Sequence, residues 1–159
     1  MRLAKLLRTP GGTPVVDAVK RAGAGLESLR AECLDELRVT LDQAELCANR
    51  ANGEYDPAVA AELYAIASNA IGVPTACGLA PIDTALVSLA DLTDYLKIRK
   101  TWDANAVAVH LRAFRLLLHT EAGKDSNGTK AILEGLRRVS QRYAKPEAKS
   151  DAAPSAAAG

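Results

Sequence analysis

The chain has 159 residues, with 20 Lys and Arg against 19 Asp and Glu, so its formal net charge at pH 7 is only +1. This length suits one compact domain, and so even a balance of charge creates no overall field to gather nucleic acid or an anionic membrane. Hydrophobic residues make up 48% but aromatic ones only 4%, with 31 alanines and 7 prolines set mostly between apolar runs, a composition that favours helices over sheets.

Residues 1–12 open with Leu3, Leu6 and Leu7 among Arg2, Lys5 and Arg8 and close on the breakers Thr9-Pro10-Gly11-Gly12. They are expected to form a flexible arm. Thr13 is a candidate N-cap and Pro14 suits the first helical position. From there Val15, Val19, Ala22, Leu26, Leu29, Cys33, Leu37, Leu41, Ala44, Ala48 and Ala51 follow at steps of three and four. That stripe predicts one long helix ended by Asn52-Gly53, with a weak point at Gly23 and Gly25.

Asp56 and Pro57 start a second helix with Val59, Leu63, Ile66 and Ala70 on one face, stopping at Gly72-Val73-Pro74. A third begins near Ala80-Pro81, turns Ile82, Leu86, Leu89, Thr93 and Leu96 inward and reaches about Arg99. Asp103 caps a fourth that buries Val107, Leu111, Phe114 and Leu118, with Gly123 and Asn127-Gly128 marking its end. A fifth, from Thr129 to Tyr143, packs Ile132, Leu133, Leu136 and Val139. Residues 145–159 are Pro, Ala, Ser and Lys in the main, and read as a disordered tail. Residues 13–144 are thus an all-α domain, and their short connections predict an up-and-down antiparallel bundle with a long N-terminal helix.

No apolar run reaches the roughly 20 residues of a membrane span, and no secretory signal is visible, so a cytoplasmic location is expected. The 2 His and 3 Cys lack ligand spacing, which leaves neither a metal nor a cofactor expected and fits a reducing compartment.

The stretch Leu63-Tyr-Ala-Ile-Ala-Ser-Asn-Ala-Ile-Gly72, followed by Cys77-Gly78-Leu79, Ala85 to Thr93 and Val109 to Phe114, resembles the helix order of bacterial histidine-phosphotransfer (HPt) proteins. There an Ile-Ala-His-x-x-Lys-Gly helix leads through a Phe-Gly turn into an Ala-x-Ser-Leu-Cys-x-Leu helix. On these landmarks Ser68 stands in the place of the phosphorylated histidine, Ile71 in that of the lysine, and Gly72 matches the glycine. The chain is also similar to the CheE proteins of bacterial chemotaxis gene clusters. The likeness rests on the Leu-x-x-Pro-Gly-Gly run from Leu7 to Gly12, on Asp91 to Asp94, and on the spacing from Trp102 to His110.

The departure carries the functional expectation. Phosphotransfer needs an imidazole nitrogen in solvent and a cation to steady the phosphoryl group. Serine forms no labile phosphoramidate, and Ile71 carries no charge. What remains is a shape: Ala61, Ala65, Ser68 and Gly72 fall on the face opposite Leu63. With Ile71 they form a candidate partner-docking row. In phosphotransfer domains that surface receives a response-regulator receiver domain, so the resemblance implies a non-enzymatic interaction module for a receiver domain or a chemotaxis histidine kinase. The bland alternative is that the row packs against the first helix.

Two other readings stand beside this one. The chain could be a working phosphotransfer protein, with His110 or His119 as acceptor. His110 flanks its helix's apolar stripe, where a hydrogen-bonded core histidine is the ordinary finding; His119 lies on a polar face with Arg112 and Arg115. Cys33, Cys47 and Cys77 read as small buried hydrophobes. The third reading is a structural bundle that forms a homodimer, because the first helix's stripe is longer than a bundle of ordinary helices can cover. The stripe contains a four-four step at Cys33, Leu37 and Leu41, which disfavours a long parallel coiled coil.

Overall fold

The computed structural model describes residues 14–120 and 126–144. The proposed arm (1–12), the candidate cap Thr13 and the proposed tail (145–159) lie outside the described residues. The described residues form helices joined by short turns, with no strand among them, as expected of an all-α bundle. The helices are α1 (Val15–Asn49), α2 (Pro57–Ala70), α3 (Val73–Ala76), α4 (Ala80–Arg99), α5 (Ala104–His119) and α6 (Ser126–Ala144).

Local chemistry accounts for most of the boundaries. Asp56 caps α2 by accepting from the amides of Ala58 (2.7 Å) and Val59 (3.3 Å), with Pro57 in the first turn where no donor is needed. Asp103 caps α5 through the Ala106 amide at 2.8 Å. Lys100 ends α4 in the left-handed region at φ 52°, its amide turned back onto Leu96 and Lys97.

Three boundaries differ from the sequence reading. Pro14 itself is the cap of α1, its carbonyl accepting from Asp17 and Ala18, so Val15 is the first helical residue. The run Gly72-Val73-Pro74, read as a stop, restarts the chain as the one-turn α3, because Gly72 takes φ +93° and points it in a new direction. Asn127-Gly128 is not a terminator but belongs to the first turn of α6. Gly23 and Gly25 do not interrupt α1, which runs unbroken for 35 residues, about 52 Å.

The packing is built around α4. Helices α1, α2, α4 and α5 close a ring in which α1 touches α2, α2 touches α4, α4 touches α5 and α5 touches α1. Helix α6 lies outside that ring, on α4 and α5. As the hub, α4 buries residues on several sides, including Ile82, Leu86, Leu89, Leu92 and Leu96. Facing them are Leu37, Leu41 and Ala44 of α1, Val59, Leu63 and Ala67 of α2, and Val107, Leu111, Phe114 and Leu118 of α5. Close packing of this kind makes Phe114, the chain's only phenylalanine, the largest fully buried side chain. Buried Thr93 spends its hydroxyl on the Leu89 carbonyl at 2.7 Å.

Ion pairs hold the outer rim of α1: Arg50 reaches Glu62 of α2, and Arg115 of α5 reaches Glu45. Both pairs are largely solvated and contribute at most about 1 kcal/mol each. No helix among the described residues is long and apolar enough to cross a membrane.

Candidate functional site

The row on α2 points into solvent. Helical phase sets Val59, Ala60, Leu63 and Ala67 inward, and all four are buried. Ala61 and Ala65, on the opposite side, are exposed, and Ser68 is half-buried. Packing against α1 is centred on a neighbouring side of α2: Glu62 and Ile66 line a shallow groove shared with Leu37 and Thr40 of that helix, and Ala65, although exposed, lines it too. On the other flank Tyr64 lies under the ammonium of Lys97, 4.5 Å from the ring centroid. The structure therefore brings Ala61, Ala65 and Ser68 together as an open strip of small side chains, and α1 does not cover them.

The end of the strip is anchored. Ile71 caps α2 and is 37% exposed, and exposed Gly72 follows it. The Gly72 amide donates to Asp83 Oδ1 at 2.7 Å, while Thr75 Oγ1 donates to Asp83 Oδ2 at 2.5 Å. One carboxylate in the first turn of α4 thus fixes the corner between α2 and α3.

His110 sits elsewhere, within the bundle, and is 1% exposed. Its Nδ1 lies 2.9 Å from the Ala106 carbonyl, which can only accept, so Nδ1 carries the proton. Nε2 is then the acceptor and takes the proton of Ser88 Oγ, 3.0 Å away, with Ser140 Oγ 3.2 Å off. Ser140 in turn donates to the Ser88 carbonyl at 3.2 Å. Burial lowers the His110 pKa, partly offset by the Ala106 bond, and so holds the ring neutral. Both nitrogens are engaged and buried. His119 lies exposed at the last residue of α5, with Arg115 already paired to Glu45.

Ser88 and Ser140 form the floor of a groove of about 650 Å³ between α4 and α6, walled by Asp91, Tyr95, Lys130 and Arg137. No local pattern in the sequence singles out these two serines. They lie 22 and 30 positions from His110, so only the packing of α4, α5 and α6 joins them. The thiols are packing groups: Cys33 and Cys47 are buried and Cys77 is half-buried. Burial, with Cys77 beside it, pushes the Cys33 thiol up to about 12, far from a reactive thiolate.

No protein family, curated protein or solved structure matches this chain.

Proposed function

We propose that this chain is a non-catalytic, HPt-like interaction module of bacterial chemotaxis or two-component signalling. It acts in the cytoplasm and uses the outer face of α2 to dock a response-regulator receiver domain. The observation that carries the reading is the solvent-open strip of Ala61, Ala65 and Ser68. Small side chains with no cover leave room for a second helix to approach closely, and this strip holds the position of the acceptor face in the family that the sequence resembles. Ser68 in place of the imidazole and Ile71 in place of the cation leave recognition without phosphoryl transfer. His110, inaccessible and doubly bonded, supports a structural part for that residue over an acceptor part.

The test is direct binding of the purified chain to purified receiver domains, each with and without beryllofluoride, beside Ala65→Arg. Ala65 is exposed, so the variant keeps the fold, which circular dichroism checks. A drop in affinity of at least roughly tenfold, about 1.4 kcal/mol, is expected. Unchanged binding of the variant removes the α2 face. Binding only to a histidine-kinase domain replaces the partner.

A further inference from the structure

The groove between α4 and α6 has a floor whose hydrogens are already spent. Ser88 Oγ, Ser140 Oγ and His110 Nε2 form a triangle there, with sides of 3.0, 3.0 and 3.2 Å. His110 has given its Nδ1 proton to Ala106, so the triangle contains only the two hydroxyl protons. That of Ser88 goes to Nε2. That of Ser140 has the Ser88 carbonyl at 3.2 Å and Ser88 Oγ at 3.0 Å as internal acceptors. A serine oxygen carries two lone pairs besides its proton, and on each of these two oxygens at least one lone pair stays free. Ser140 is only 7% exposed, yet it lines the groove together with Ser88. The floor accepts hydrogen bonds and has none to give.

The wall above the floor has the same bias. Asp91 and Tyr95 follow Ser88 at steps of three and four, so the three share one face of α4, and all line the groove. Among the described residues no cation pairs with the Asp91 carboxylate. Partial burial, and then the like charge of Asp94, raise its pKa, a strain on the charged form that a neighbouring cation relieves. The cations of α6 are placed otherwise. Arg137, one turn before Ser140, is spent on Glu134 at 3.2 and 3.3 Å. Lys130 stands ten positions before Ser140, about 15 Å away along the helix. Between these groups the lining is apolar, with Val87, Leu133 and Ala144. A space of about 650 Å³ with apolar walls and a few convergent polar groups suits a small organic molecule, for which roughly 300–1,000 Å³ is usual.

We propose that this groove binds a small organic ammonium ion, a protonated amine carried on an apolar body. A primary ammonium has three donors and no acceptor, the complement of a floor that only accepts. It donates to Ser88, Ser140 and the Asp91 carboxylate, while the body lies on Val87, Leu133 and Tyr95. A carboxylate or phosphate in the same place would meet lone pairs and a like charge.

The site uses none of the α2 strip, so either can fail without the other. Titration of the isotope-labelled full chain with phenethylamine at neutral pH, followed by amide and methyl shifts, tests it. Phenethyl alcohol and hydrocinnamate serve as the neutral and anionic counterparts. The amine is expected to give saturable shifts centred on Val87, Ser88 and Ser140, with a dissociation constant of roughly 1 mM or below. The alcohol should bind roughly tenfold more weakly, and the carboxylate not at all. Asp91 is exposed, so Asp91→Asn should keep the wild-type circular dichroism while amine affinity falls roughly tenfold. No saturable binding up to about 10 mM overturns the proposal, including the case in which a lysine of the chain's own terminal segments fills the groove. So does equal affinity for amine and alcohol, or an affinity indifferent to Asp91→Asn. Shifts centred on another face overturn the assignment to this groove.

Discussion

Tyr143, in the last turn of α6, donates its phenolic hydrogen bond to Asp103, the residue that caps the start of α5. The two lie 40 positions apart, so one carboxylate both begins a helix and fastens the outermost helix to it. The Tyr143 bond, with the amides of Ala106 and Asn105, holds the Asp103 carboxyl below its ordinary range. Burial first, and then Asp103, push the Tyr143 hydroxyl up to about 12.

A double-mutant cycle measures that link. Asp103→Ala removes cap and acceptor together and is expected to cost about 1–2 kcal/mol, and Tyr143→Phe about 1 kcal/mol. The double variant should cost less than the sum, by about 0.5–1.5 kcal/mol. Additive losses in urea denaturation would show that the two groups do not interact. Because the folded carboxyl has the lowered pKa, its contribution is present above the unfolded value of 3.8 and disappears as pH falls through the folded one.

His110 predicts a second pH dependence at milder acidity. Burial holds its folded pKa below the ordinary imidazole value of 6.5, so the unfolded chain takes up a proton first as pH falls. Stability from this residue is full above pH 6.5 and declines below it until the folded ring also protonates. Urea midpoints at neutral and mildly acidic pH should differ in the wild type, and His110→Gln should reduce that difference. An equal difference in both would assign the pH dependence to other groups.

A feature of this fold is legible in the sequence to the extent that its signal is local. Asp56-Pro57 and Asp103 announce α2 and α5 because a cap needs only the next three residues. The inward faces of α4 and α5 were readable because periodicity alone orients them, and Thr93 was found on that basis despite its hydroxyl. Periodicity also placed Ala61, Ala65 and Ser68 opposite Leu63. What it could not give was the cover: whether α1 crosses that side of α2 depends on how two helices sit, which no local pattern encodes. Ser88 and Ser140 escaped notice for the same reason. The α3 turn was missed because Gly72-Val73-Pro74 reads equally as an end and as a new start, and the Asp83 carboxylate that selects the start is 11 positions away.

That corner gives a third prediction. Gly72 has open space where a Cβ would stand, but its φ of +93° is one that other residues resist, so Gly72→Ala should cost about 1–2 kcal/mol by conformation alone. Asp83→Ala removes the acceptor of both the Gly72 amide and the Thr75 hydroxyl and should cost a similar amount. Asp83→Asn keeps the shape and one acceptor and should lie between. If Gly72→Ala is neutral, the corner relaxes into an ordinary backbone conformation and is not fixed by Asp83.

Two leucines of one stripe separate the halves of α1. Leu37 is 1% exposed and packs in the core, while Leu26, on the same face of the same helix, is 67% exposed. Leu37→Ala leaves a cavity among α1, α2 and α5 and should destabilise the bundle by about 2–5 kcal/mol. Leu26→Ala, measured at a dilution where the chain is monomeric, should change bundle stability by no more than about 0.5 kcal/mol, because the removed atoms touch little and alanine favours helix slightly. Hydrogen exchange should show the same division. Amides beyond Cys33 should be protected up to the global unfolding energy, and those from Val19 to Leu29 should exchange by local fraying in the monomer. Equal penalties for the two leucines in the dilute monomer would mean that the first half of α1 folds back onto its own bundle.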